Sequence, residues 1–278
     1  MTPQPLDAAA TEALLAFWRD AGVDACYLDA PIDRTVFVAP PAPQMLQKAS
    51  ATVTALHGGQ HGGHHGGMSS ADAVAEARRL AAAATTMDDL AEAVAAFHGC
   101  PLRAMGAKQA VFARGNPKGS ILLIGESPGE TEDLRGEPFV SQAGQLLDRM
   151  LAAAGLADQA FMTNTVFWKP PGDRLPTPQE QAVCAPFLER AFALMQPKAV
   201  LLVGAAAAKS VLNTEEGLMK TRGQWREWRL DDGTAAAPAI VTLHPAFLLR
   251  QPQAKRVAWA DILSLAARLD TAQVEPAV

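Results

Sequence analysis

The segment GESPG, residues 125–129, follows a short apolar run and sets a carboxylate, Glu126, beside a hydroxyl, Ser127. In the frame G-x-S-x-G this is the spacing of a serine-hydrolase nucleophile elbow, which Ser127, His244 and Asp231 or Asp232 could complete as a triad. Pro128 counts against that chemistry. The oxyanion hole of an elbow uses the backbone N–H of the residue after the serine, and proline has none. Two more side chains with chemical capacity stand far along the chain, the amide of Asn164 and the imidazole of His244, and Gly204 opens an apolar helical run. Four of the six histidines, His57, His61, His64 and His65, sit in HGGQHGGHHGG, residues 57–67. That tract offers nitrogens to Zn or Ni, but glycine pairs on every side leave nothing to preorganise a site, so it reads as a flexible linker.

The elements around these residues explain how they would meet. SILLIG (120–125), AFMTNTV (160–166), KAVLLVG (198–204) and AIVTL (239–243) are short apolar runs suited to strands buried on both faces. Helical patterns separate them: AGQLLDRMLAAAGL, PTPQEQAVCAPFLERAFALM, AAAAKSVLN and, after the last strand, PQAKRVAWADILSLAARL. Such alternation predicts an α/β fold of three layers, a four-stranded parallel sheet flanked by helices. Functional groups then gather at the carboxyl ends of the strands. Glu126 with Ser127, Asn164, Gly204 and His244 occupy those ends, so spacing alone predicts one crevice lined by a carboxylate, an amide, a glycine turn and an imidazole.

Composition bounds the rest. With 278 residues, 49% hydrophobic and 19% charged, the chain can bury one full core and carry an appendage. Residues 1–50 read as an N-terminal extension with a short amphipathic helix over 7–19 broken by later prolines, 51–70 as the linker, and 71–278 as the main domain, which carries the crevice and begins with an Ala-rich helical stretch. The formal charge of -5 is uneven: residues 1–100 hold 5 Lys+Arg against 11 Asp+Glu, and the remaining 19 bases and 18 acids leave +1. The acidity belongs to the extension, and the remainder tolerates contact with phosphate. No apolar run approaches the roughly 18 residues of a membrane span, and the N-terminus lacks the pattern of a secretory signal, so a cytoplasmic location is expected. Three widely spaced cysteines, Cys26, Cys100 and Cys184, exclude a disulfide framework.

GESPGETEDLRGEPFVSQAGQLLDRML, TNTVFWKPPGDRLPTPQEQAVC and HPAFLLRQP, in that order and each at a predicted strand end, resemble three signatures of the family-four uracil-DNA glycosylases. The similarity runs from about residue 97 to 268. It implies an enzyme that flips uracil out of DNA and hydrolyses its bond to deoxyribose. Carried over residue by residue, Phe139 would stack on the flipped base and Asn164 would pair with O4 and N3–H of uracil. His244 would donate to O2 as charge develops there, and Glu126 would stabilise the cationic sugar or orient water, with Ser127 as a water-orienting helper. Glu132 resembles the residue that crowds C5 of the base. Arg250 would lie beside the flipped nucleotide, with Leu248 and Leu249 filling the vacated stack. Lys169, Arg174, Lys255 and Arg256 are candidate DNA contacts, and the Gly204 turn presents a helix N-terminus to phosphate.

The chain departs from the family at the 4Fe-4S cluster, which takes four cysteines. Cys100 and Cys184 match two positions, while Phe97 and Trp168 stand at the others. Two thiolates cannot hold such a cluster, so none is expected, and packing by the two aromatic rings should stabilise the region instead. A monomer acting on uracil-containing DNA is expected, without a membrane partner. Two rival readings remain beside the hydrolase: a DNA-binding relative without catalysis, which would have no need of groups aimed at both base and sugar, and a relative that stays covalently attached to its DNA.

Overall fold

The computed structural model describes residues 69–274. The helix expected over 7–19, the Gly/His tract and Cys26 lie outside the described residues. Two helices, α1 (Ser70–Ala83) and α2 (Met87–Ala96), lead in. Ser69 caps α1 by accepting from the N–H of Asp72, and Thr86 and Asp89 form a reciprocal capping box on α2. The expected Ala-rich stretch is thus interrupted at its internal capping signal. A single turn, α3 (Pro101–Ala104), leads to a three-residue strand, β1 (Ala113–Gly115).

Alternation then begins. The elements are β2 (Ile121–Gly125), α4 (Glu130–Arg135), α5 (Gln142–Ala153), β3 (Ala160–Asn164), α6 (Pro178–Met195), β4 (Ala199–Val203) and α7 (Ala205–Leu212). They continue with α8 (Leu218–Thr221), β5 (Trp225–Arg229), β6 (Ala236–Thr242), α9 (Pro245–Arg250) and α10 (Lys255–Val274). The sheet order is β1-β3-β2-β4-β6-β5. The parallel centre β3-β2-β4-β6 is the expected one, and two antiparallel edge strands enlarge it to six. The expectation of four strands is corrected here for a physical reason. β1 is too short to show a period, and β5 is half exposed, so neither carries the apolar run of a strand covered on both faces.

Every residue of β2, β3 and β4 is buried, and their alternation sorts the core into two layers. Leu122, Ile124, Val200, Leu202 and Val241 face a layer containing α1, α2 and α6. Ile121, Leu123, Leu201, Val203 and Ile240 face Leu147 and Leu151 of α5 and Ile262 and Leu265 of α10. The first layer holds an aromatic cluster in which Phe97 meets Phe187 edge-on at 5.2 Å and Trp168 at 6.2 Å between ring centroids. Across the sheet edge, Trp228 of β5 stacks on Phe192 of α6 at 4.1 Å.

Candidate active site

Parallel register fixes where the strands stop. Gly125 pairs with Asn164 at the last step of β2 and β3, which brings the residues after β2 beside the Asn164 side chain. The backbone carbonyl of Glu126 accepts from Thr165 Oγ1 at 2.7 Å and from the Val166 N–H at 3.3 Å, so the carboxylate projects from a tethered turn. On the other side, the Gly204 N–H donates to the Thr242 carbonyl, joining the end of β4 to the segment leading into His244. His244 caps α9, with Pro245 at the first helical position.

One cavity of about 600 Å³ results, within the range of ligand sites. Glu126, Ser127, Glu132, Phe139, Asn164, His244 and Arg250 all line it. The structure therefore brings together the carboxylate, amide and imidazole that spacing predicted to converge, and the Phe139 ring that the resemblance added, while Gly204 lies on an adjoining groove. Among the described residues the Asn164 amide has no protein hydrogen-bond partner, as befits a group aimed into the cavity. Glycine at 125 leaves room for both groups, because a Cβ would stand 2.4 Å from Asn164 Oδ1 and 2.5 Å from Phe139 Cζ and would push the amide or the ring aside.

Phe139 is held in the left-handed region, at φ 56°, a conformation that costs an aromatic residue about 1–3 kcal/mol and persists only where neighbours impose it. They do so from two sides. Glu132 Oε1 accepts from the N–H groups of Val140 at 3.1 Å and Ser141 at 2.9 Å. Arg114, on β1, donates through Nε to the Pro138 carbonyl at 2.6 Å and through Nη2 to the Phe139 carbonyl at 2.9 Å. Glu132 thus orders the loop that carries the ring, besides lining the cavity where crowding of a base was expected. Arg114 escaped the sequence reading because a three-residue edge strand has no pattern to mark it.

The electrostatics follow from burial. Burial raises the carboxyl pKa of Glu126 above its ordinary value of 4.5, because a charge there loses solvation. It lowers His244 below the ordinary 6.5, with the Arg250 charge acting in the same direction and Glu132 opposing. Nδ1 of His244 accepts from the Ala246 N–H at 3.2 Å. That bond assigns the proton of the neutral ring to Nε2, the remaining donor.

Other expected residues divide into two groups. Gly204, at φ 94°, opens α7 onto an adjoining groove that shares Glu126 and His244 with the first cavity. Lys255 and Arg256 are exposed at the start of α10, and Lys169 is half-buried and paired with Asp173 at 3.2 Å. Leu248 requires correction: it is 1% exposed, packed with Leu146, Leu243 and Ala258, and unable to enter a base stack. The apolar groups at that rim are Phe247 and Leu249, 39% and 37% exposed, and Phe247 lines the cavity with Arg250 one helical step on. Arg174 is likewise engaged, donating to both carboxylate oxygens of Glu180 at 2.6 and 2.8 Å, where Glu180 also caps α6. Asp173 and Ser141 line the cavity without having been foreseen. The hydrolase triad does not assemble, since Asp231 and Asp232 border different cavities from Ser127, and Asp232 is bonded to Thr234.

Cys100 and Cys184 are buried together among Phe97, Trp168 and Phe187. Burial pushes the Cys184 thiol well above its usual range. Among the described residues no group of three or more His, Cys, Asp or Glu side chains is placed to hold a metal ion. This donor set does not fit a four-thiolate cluster.

A cavity of about 600 Å³ lined by an unpaired amide, an aromatic ring, an imidazole of lowered pKa and a partly buried carboxylate has room for an extruded nucleotide base. The chain belongs to the uracil DNA glycosylase superfamily, whose model matches residues 112–263. Within it the chain is a family-four member, similar to proteins named type-4 uracil-DNA glycosylase. That of Thermotoga maritima is 33% identical over 180 residues, covering 63% of this chain and 91% of the relative. That of Archaeoglobus fulgidus is 33% identical over 171 residues, covering 60% and 85%, and that of Sulfurisphaera tokodaii 34% over 158, covering 55% and 71%.

Proposed function

We infer that this chain is a uracil-DNA glycosylase that hydrolyses the N-glycosidic bond of a flipped-out uracil and leaves an abasic site for repair. One observation carries the reading: Glu126, Phe139, Asn164 and His244, from four separate stretches of chain, line a single cavity. The Phe139 ring stacks on the extruded base, and Asn164 offers a donor and an acceptor side by side to O4 and N3–H. Cytosine presents the opposite pattern, an amino group and a bare nitrogen, and is rejected because the amide would face it with mismatched groups.

As the bond breaks, negative charge moves onto the base and positive charge onto the sugar. His244, neutral and already carrying its proton on Nε2, donates to O2, where a preorganised donor contributes roughly 3–4 kcal/mol to the transition state. Glu126, ionised, faces the oxocarbenium-like sugar and orients the water that attacks it, with Ser127 assisting. The base leaves with the electron pair of the glycosidic bond as an anion stabilised by His244, and the water oxygen bonds to the anomeric carbon as its proton passes to Glu126. Arg250, Phe247 and Leu249 meet the nucleotide and the gap it leaves, while Lys169, Lys255, Arg256 and the Gly204 turn contact the backbone.

The protein works without an iron-sulfur cluster, its place taken by Phe97 and Trp168, and acts as a cytoplasmic monomer with residues 71–278 as the catalytic unit. Colourless, iron-free protein supports this, and absorbance near 400 nm contradicts it. The deciding experiment is a gel assay on an oligonucleotide carrying U, T, C or hypoxanthine at one position. Strand breakage by alkali at U, much reduced in His244→Ala and Asn164→Ala, supports the assignment. Binding of uracil DNA without an abasic product would instead identify a non-catalytic relative, and a DNA adduct stable to denaturation a covalently trapping one.

A further inference from the structure

Arg114 lies on the opposite side of the Phe139 loop from Glu132, and its contacts are specific. Its guanidinium donates to two successive carbonyls, Pro138 and Phe139, and its Nη2 also reaches Asp148 Oδ1 at 2.7 Å. Asp148 belongs to α5, the helix whose Gly144 packs against the same Phe139 peptide so closely that a Cβ would stand 1.7 Å from its oxygen. A planar fork with donors on separate nitrogens holds two adjacent carbonyls in one fixed geometry, which the single nitrogen of an ammonium does not. The peptide groups on both sides of the left-handed residue are therefore bound by charged side chains, the carbonyls by Arg114 and the following N–H groups by Glu132. Arg114 reaches this position because β1 pairs antiparallel with β3, setting Arg114 opposite Met162 at the outer edge of the sheet.

We propose that Arg114 is a positioning residue for base recognition: its guanidinium clamps the Pro138–Phe139 carbonyls and so fixes the plane in which the Phe139 ring meets the flipped base. It touches no substrate atom and acts through Phe139. The proposal rests on the glycosylase reading and deepens it.

The test is a double-mutant cycle in the full-length protein, with Arg114→Ala, Phe139→Ala and the double variant compared by single-turnover excision and by inhibition with free uracil. Arg114→Ala should lower the excision rate by about tenfold or more and weaken uracil inhibition when Phe139 is present, yet change the rate less than about threefold when residue 139 is alanine. Arg114→Lys, which keeps the charge but not the rigid fork, should fall between, and it carries the same cycle if Arg114→Ala fails to fold. Equal losses in both backgrounds, or a fall in melting temperature with the active fraction's rate and uracil inhibition unchanged, overturn the clamp and leave the glycosylase reading standing. A wild-type protein that releases no uracil overturns both.

Discussion

Gly144→Ala tests whether the peptide at Phe139 sets the pocket. In an isolated helix the exchange is favourable by roughly 0.5–1 kcal/mol, because alanine loses less backbone entropy than glycine. Here the new Cβ would stand 1.7 Å from the Phe139 carbonyl oxygen, 2.1 Å from its carbon and 2.6 Å from Cα. Ordinary contact requires a displacement of roughly 1.5 Å, and rigid backbone lies on both sides. The helix cannot yield easily, since Leu146, Leu147 and Leu151 of α5 are buried. The Phe139 peptide must move, and with it the 2.9 Å bond to Arg114 and the ring over Gly125. Overpacking costs about 1–3 kcal/mol, more than the helical gain, so the melting temperature should fall by a few degrees. The rate should suffer more, because a misplacement of about 1 Å in a recognition group costs on the order of a hundredfold. Single-turnover excision beside a circular-dichroism melt reads both. A Gly144→Ala protein with wild-type rate and uracil inhibition would refute the idea that this contact defines the recognition surface.

Glu126→Gln should abolish most excision while raising the melting temperature at neutral pH. With a folded pKa above 4.5, Glu126 destabilises the native state as pH rises through that value, and the amide removes this penalty. The wild-type rate should fall in acid as Glu126, its carboxyl pKa raised above 4.5, and His244, its folded pKa below 6.5, take up protons; a pH–rate profile without that acid limb contradicts the assignment. The depressed His244 contributes stability present above 6.5 and lost as pH falls through its folded value, so His244→Gln should flatten the acid side of a stability curve. Asn164→Asp should reduce excision at U by at least about a hundredfold and also lower the melting temperature at neutral pH, since a carboxylate at this 3% exposed position lines the cavity with Glu126 and gains no cationic partner. Arg174→Ala should lower stability by about 1–2 kcal/mol while changing the DNA KM less than twofold, whereas Arg250→Ala should raise that KM several-fold; equal KM effects would return Arg174 to the DNA interface.

The central sheet was legible because β2, β3 and β4 are buried on both faces and write themselves as unbroken apolar runs. The convergence of Glu126, Asn164 and His244 followed, since parallel strands all present their carboxyl ends to one side. β5 was passed over because it is an edge, although the DDGT turn before β6 marked a hairpin. Leu248 was misassigned for want of one step: Pro245 after His244 is a helix start, and a helix over 245–250 sets residues 247 and 250 on one face and 248 on another. Thr177, Pro178 and Glu180 likewise spelled a capping box, but the ion pair from Arg174 that completes it depends on a turn through Gly172 and Asp173, both at positive φ. The Arg114 clamp had no local signal at all, since its partners lie 24 to 34 positions away.

The charge pattern of the cavity bears on how binding becomes catalysis. Glu132 spends its carboxylate on two backbone N–H groups and Asp173 faces Lys169, whereas Glu126 has no ion-pair partner among the described residues. An unpaired, partly buried carboxylate is costly in the free protein and stays costly when neutral base and sugar bind. A cationic His244 beside it would relieve that cost, but burial and Arg250 keep the imidazole neutral. The charge that satisfies Glu126 therefore arises only as the glycosidic bond opens and the sugar becomes cationic. An interaction absent from the ground state and present in the transition state raises kcat rather than tightening substrate binding. On this argument Glu126→Gln lowers kcat with KM nearly unchanged, and a large rise in KM with kcat preserved would mean that the carboxylate serves binding instead.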